Sequence, residues 1–405
     1  MARLLAGLVM LALALGEASA NDWPAFRGPT GQGHSTERDL VVEWSETANV
    51  HWKVPVPGRG WSSPVVADGQ VWLTTATGDD AGSLRLLAFD IESGDPVLDV
   101  EVFRVDVAAS PNPKNSLASP TPIVDGDRVY VHFGADGTAA LTTAGERVWA
   151  ARFPYVTQHG NGGSPLLYDG HLFLSIDGYD TAYVVSLDAE SGEERWRTLR
   201  RAPVSQAYST PLAIEVDGQS QLVSIGAFRT TAYDPDTGAE VWEVSYGDGF
   251  SNVPAPVYGH GLVYIATGFQ VPSLLAVRAD GRGDVTASHT AWTLRRGAPH
   301  TPSPLLVDDL LYLVSDLGVA TCVDARTGEV QWQHRLGGNY SASPVFADGR
   351  IYFQSEEGVT TVVALGNSYL ELAVNELDGV TLASPAVAAG SFFIRTGTHL
   401  YRIGG

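Results

Sequence analysis

"SASPVFADGRIYFQSEEG", residues 341–358, holds a whole β-hairpin: a small residue and proline, an apolar run, Asp-Gly, then a second apolar run. Proline has no backbone N–H, so it suits the first residue of a strand. Asp-Gly tolerates the positive φ of a type I′ turn, which returns the second run beside the first. The same text recurs in "GGSPLLYDGHLFLSIDG" (162–178) and "WSSPVVADGQVWLTTATG" (61–78). A chain that rewrites one hairpin is defined by its period.

The anchor, a small residue followed by proline, stands at Ser63-Pro64, Thr121-Pro122, Ser164-Pro165, Thr210-Pro211, Ala255-Pro256, Ser303-Pro304, Ser343-Pro344 and Ser384-Pro385. Successive prolines lie 40 to 58 residues apart, a spacing that suits one four-stranded propeller blade. Asp-Gly follows at Asp68-Gly69, Asp125-Gly126, Asp169-Gly170, Asp217-Gly218 and Asp348-Gly349. A second hairpin, written "DAESGEERW" (188–196), "DPDTGAEVW" (234–242) and "DARTGEVQW" (324–332), supplies strands three and four. The expected fold is all-β: an eight-bladed β-propeller of four-stranded antiparallel blades. The eighth unit runs out after three strands, and "NVHWKVPV" (49–56) offers the fourth. The N-terminal strand therefore closes the last blade, which satisfies edges that an open array would expose.

Four residues after the glycine of the second hairpin stand Leu98, Trp149, Trp196, Trp242, Trp332 and Leu370. The fifth blade reaches Trp292 after a longer insertion, and Trp52 holds the place in the closing strand. A large side chain at one fixed place per blade predicts packing between neighbouring blades.

Residues 1–20 carry one Arg, an apolar run and an Ala-Ser-Ala end, which reads as a secretory leader cut after Ala20. Its apolar core is too short for a membrane span. Residues 21–48, rich in Gly, Pro and polar side chains, read as an extended arm, and 49–405 as the propeller. An exported monomer, periplasmic or extracellular, is expected. The net charge of −21 argues against nucleic acid, which needs clustered Lys and Arg. Cys322 is the single cysteine. It reads as a buried structural thiol, and it excludes an intramolecular disulfide, a C-x-x-C-H haem site and a lipid-bearing cysteine after the leader.

"LDAESGEERWRT" with "GSPLLYDGHLFLSIDG" resembles the repeats of pyrroloquinoline quinone (PQQ)-type propellers, over residues 43–404. "DWPAFRGP" (22–29) resembles exported bacterial PQQ-like propellers in particular. The resemblance implies two branches. Quinoprotein dehydrogenases hold PQQ and usually Ca²⁺ on the axis and oxidise alcohols or sugars; many alcohol-oxidising members stack the cofactor on a disulfide of adjacent cysteines, which this chain cannot form. The outer-membrane assembly propeller lipoprotein binds partner proteins without catalysis; this chain shares its size and blade number and lacks its lipidated cysteine.

Propeller topology places the loop leading into each inner strand on the same face as the loop between strands two and three. The residues expected around an axial ligand are Arg59, Trp61, His159, Asn161, Tyr208, Arg229, His300 and Tyr340, with Asp177, Asp316 and Glu356 as carboxylates for a metal. Aromatic faces with a few polar groups suit a small-molecule pocket. No Ser-His-Asp order, phosphate loop or metal-spaced His cluster is readable, so no catalytic residue is assigned. The sequence reads as a non-enzymatic binding scaffold for a protein or small ligand, with no cofactor expected. The alternative is a PQQ- and Ca²⁺-dependent dehydrogenase, with Arg59 and Arg229 meeting the cofactor's carboxylates.

Overall fold

The computed structural model describes residues 22–78, 81–106, 112–269 and 272–405. The leader expected at 1–20, and Asp79, expected from the sequence in a loop between second and third strands, lie outside these. Eight sheets form, each built on four antiparallel strands, which in seven of them run in chain order from the axis outward. Blade 3 is representative: Leu166–Tyr168, His171–Asp177, Ala182–Asp188 and Glu194–Leu199. Blade 8 takes Ala386–Ala388, Ser391–Arg395 and His399–Ile403 from the C-terminus and Val50–Pro55 from the N-terminus, with Trp52 opposite Arg402. Among the described residues no helix is long and apolar enough to cross a membrane.

The Asp-Gly turns form as their chemistry dictates. Asp68 and Gly69 have φ 51° and 74°, and Asp348 and Gly349 have 48° and 73°, both positive as type I′ requires. Blade 2 differs by one residue. Asp125 still pairs with Arg128, so the turn is Gly126-Asp127, and of these only Gly126 has positive φ.

The second hairpin is held by its first Asp. Asp324 Oδ1 accepts from the N–H groups of Arg326 and Thr327 and from the Thr327 hydroxyl, at 2.8–3.0 Å. Onto this turn docks the tryptophan of the preceding blade. Trp149 Nε1 donates to Ala189 O, Trp196 Nε1 to Pro235 O, Trp292 Nε1 to Ala325 O and Trp332 Nε1 to Gly366 O, at 2.8–3.2 Å. Trp52 of blade 8 completes the circle onto Ile91 O of blade 1 at 3.0 Å. Trp242 deviates because the blade 5 insertion lays Gly283–Asp284 parallel to Glu240–Ser245, adding a fifth strand to blade 4. Its indole donates to Gln221 Oε1, and Gln221 Nε2 lies 3.4 Å from Ala279 O. Leu370 does not hold the equivalent place: it is exposed, and Ala373 pairs with Val362 where blades 2 to 6 put Trp and blade 1 puts Leu98.

The arm is folded across the face opposite the leading loops. Trp23 exchanges both backbone bonds with Val66, Val124 N–H donates to Pro24 O, and Phe346 N–H donates to Gly33 O. Tyr258 N–H donates to Gln32 Oε1, Arg27 Nη2 to Pro304 O and Ser35 Oγ to Val387 O. These bonds reach the inner strands of six blades, so the arm closes one end of the axial channel. Arg27 is fully buried there, and burial lowers its guanidinium to about 9.

Candidate functional site

Counting back from each anchor, the residue before the proline, gives the site its register. The anchors themselves line the axial cavity in seven blades; Ala255 is the exception. The residues two before the anchor all line it: Trp61, Ser119, Gly162, Tyr208, Val253, Thr301, Ser341 and Leu382. The residues three before are buried between blades in seven of eight, including Asn161, Asn252 and Tyr340; His300 is the half-buried exception. An extended segment points successive side chains in opposite directions, which explains the alternation. Register relative to the anchor is thus the sequence signal for the pocket, and position in a loop alone does not carry it.

At the floor, the anchor N–H of one blade donates to the anchor hydroxyl of the next. Ser63 N–H bonds Thr121 Oγ1, Thr121 bonds Ser164, Ser164 bonds Thr210, Ala255 bonds Ser303, Ser303 bonds Ser343, and Ser343 bonds Ser384, at 2.9–3.0 Å. Phe26 of the arm lies at the same floor. The cavity above measures about 750 Å³, within the roughly 300–1,000 Å³ of small-molecule sites.

The walls are aromatic and amide. Phe250 meets Phe269 edge-on at 5.8 Å, and Phe269 meets His300 at 6.4 Å. In the adjoining loops His159 and Tyr208 are 6.4 Å apart, and Tyr208 N–H donates to Asn252 O. Tyr208 Oη and the Gln158 N–H both donate to Gln206 Oε1, whose amide donates to Ser251 Oγ, while Tyr179 Oη donates to Gln158 Oε1. Burial holds the Tyr208 hydroxyl above its ordinary pKa, so it stays a donor. These side chains are fixed by one another before any ligand arrives.

Five expected site residues line the cavity: Trp61, His159, Tyr208, His300 and Asp316. Asn161 instead donates to Phe133 O at 2.7 Å and accepts from Tyr155 Oη, tying two blades together. Tyr340 is packed in the core around Trp332. Arg59 donates to the carbonyls of Pro113 and Asn115, and Arg229 to Ala202 O, with Glu243 3.7 Å away. The three expected metal carboxylates do not converge. Asp177 is buried in a bidentate pair with Arg200, at 2.7 and 3.0 Å, and the carboxylate keeps that guanidinium charged against its burial. Asp316 accepts from His300 N–H and Thr301 Oγ1, both at 2.7 Å, and Glu356 pairs with Lys114 at 2.8 Å. Among the described residues no three His, Cys, Asp or Glu gather as a metal site. Cys322 is fully buried, and burial pushes its thiol up to about 12.

The family model described as outer membrane protein assembly factor BamB matches residues 32–162, 155–280 and 228–382. No curated protein matches the sequence significantly. Among solved structures, BamB from Moraxella catarrhalis is similar at 14% identity and TM-score 0.61, over 87% of this chain and 99% of that one. Quinohemoprotein alcohol dehydrogenase from Comamonas testosteroni is similar at 13% identity and TM-score 0.68, over 95% of this chain and 81% of that one. At these identities both show the shared fold.

Proposed function

The chain belongs to the PQQ-like β-propeller family of the outer membrane protein assembly factor BamB, and from that premise we propose that it is an exported, non-enzymatic binding scaffold whose axial pocket takes the ligand or the tip of a larger partner. The observation that carries the reading is the pocket: a cavity of about 750 Å³, floored by anchor hydroxyls and Phe26, and walled by aromatic rings and amides already bonded to one another. Preorganised walls lower the ordering cost of binding. Export is supported by the leader-like residues 1–20 and by the outer-membrane association in the family's description.

The pocket does not suit PQQ, a planar tricarboxylate. Arg59 and Arg229 are spent on carbonyls, Lys114 on Glu356, and Asp316 adds a carboxylate to the lining. Nothing at the site favours the dehydrogenase reading over the scaffold.

Thermal shift against ligand classes (saccharides, peptides, quinones and nucleotides) tests this, with Leu382→Trp as a variant that fills the pocket. At least one class should raise the Tm of the parent and not of the variant. With PQQ and Ca²⁺ added, alcohol and glucose should give no dye reduction. Submicromolar PQQ binding with turnover defeats the scaffold reading.

A further inference from the structure

We propose that the axial pocket binds the end of a neutral saccharide, an inference that rests on the scaffold reading and specifies its ligand. The floor sets the first condition. Each of six anchor hydroxyls, Thr121, Ser164, Thr210, Ser303, Ser343 and Ser384, accepts one anchor N–H. None of their own O–H protons has a protein acceptor among the described residues. A hydroxyl is one donor and two acceptors, so this ring keeps its donors and a second lone pair for whatever enters. Such a floor recognises hydroxyl and ether oxygens.

The walls set the second condition. Phe269 is half exposed at 53% and Tyr179 at 45%, and both line the cavity with Trp61 and Phe250. Flat faces beside O–H donors and amides match a molecule with an apolar C–H face and a polar rim, and a sugar ring has both. Aromatic side chains supply such amphipathic contact area.

Charge sets the third. Both oxygens of Asp316 already accept hydrogen bonds, and the Lys114 ammonium is paired with Glu356. A chain of net charge −21 repels polyanions at long range. An anionic saccharide is therefore disfavoured, and a neutral one leaves these paired charges undisturbed. Finally, the arm closes the bottom of the channel and Phe26 stands at the floor. An extended peptide cannot thread through, whereas a chain end inserts from above.

Isothermal titration of the full chain with cellotriose, maltotriose and chitotriose, with trigalacturonate as anionic control, tests the assignment. At least one neutral trisaccharide should bind with Kd below about 1 mM, a weak-site affinity. Phe269→Ala and Tyr179→Ala, both at exposed positions, should each weaken it at least about tenfold, as truncated aromatic anchors do, without changing the Tm. Silence of all three neutral sugars at about ten times that concentration overturns the proposal. So does sugar binding unchanged in the double variant. If short aromatic peptides bind in a Phe269-dependent way and sugars do not, the ligand class falls while the scaffold stands. If PQQ supports turnover, the scaffold itself falls.

Discussion

Gly238 has φ +71° and lies beneath the Trp196 indole, so a Cβ there would stand 2.4 Å from Cε3. Gly69 has nearly the same φ, +74°, with nothing within 4 Å of that position. Substituting Ala at both separates backbone strain from loss of the docked ring. Gly69→Ala should cost about 1–2 kcal/mol, the left-handed penalty alone. Gly238→Ala should cost about 2 kcal/mol more, because the indole must leave its carbonyl partner Pro235 or the turn must open. Urea melts that gave equal losses would deny the docking any energetic weight. A second residue-scale consequence concerns pH. His132 is buried beside Thr138 Oγ1 at 2.8 Å, and burial pushes its imidazole down to about 4, against about 6.5 in the unfolded chain. Between those values the unfolded state binds the extra proton, so stability falls as pH drops through 6.5 and levels off below 4. The shift is worth about 3 kcal/mol. His34, also lowered by burial, adds in the same direction. His132→Leu should flatten the slope of stability between pH 7 and 4, whatever it does to stability at pH 7. At this scale the sequence was partly legible. Trp61 and Tyr208 line the cavity because they stand two before an anchor, and Asn161 and Tyr340 are buried away from it because they stand three before. One residue of register decides the face.

Hairpins were the most legible elements, since Asp-Gly needs no tertiary context to choose its turn. The turns at His260-Gly261 and Ala389-Gly390 also have positive φ at both residues, 57° and 71°, and 47° and 66°. Ala and His give no such signal, so those turns exist because the neighbouring strands require them. Blade 7 shows how the whole ring overrules a local pattern. Its neighbour, blade 8, has no third-to-fourth hairpin, because its fourth strand comes from the other end of the chain. A blade 7 tryptophan would have no turn to dock on, and Ala373 occupies that place. The space is filled by Trp44 of the arm, whose ring packs on Tyr352 and Phe392 and whose backbone N–H donates to Asn375 Oδ1 at 2.8 Å. Trp44→Ala should therefore cost about 3–5 kcal/mol, as buried aromatic truncations do, and match Trp332→Ala. A loss below about 1 kcal/mol, typical of surface changes, would mean that the arm only rests on the blade.

Across the whole molecule, closure depends on two independent devices. The strand Val50–Pro55 joins the ends of the chain in one sheet, Val54 pairing with Leu400. The arm then ties the inner strands together from one face, with Trp23 on blade 1, Pro24 on blade 2 and Gly33 on blade 7. The ring of anchor hydroxyls needs such help, since Ala255 leaves no hydroxyl to receive the Thr210 N–H. The two devices differ in what their loss exposes. Removing residues 21–57 bares the outer edge of blade 8, and an unpaired edge recruits other chains, so that protein should aggregate. Removing only residues 22–44 keeps the closing strand and should leave a folded, less stable ring. In it the amides of Val66, Val124 and Phe346, which donate to Trp23, Pro24 and Gly33, should exchange with solvent far faster than in the parent. Amides of the middle strands, such as Leu313 and Phe353, should remain protected, because their bonds lie within the blades. Hydrogen exchange by mass spectrometry separates the cases. Uniform loss of protection would show the arm to be part of one cooperative unit with the blades, and unchanged exchange at the three amides would show that it does not seal the channel.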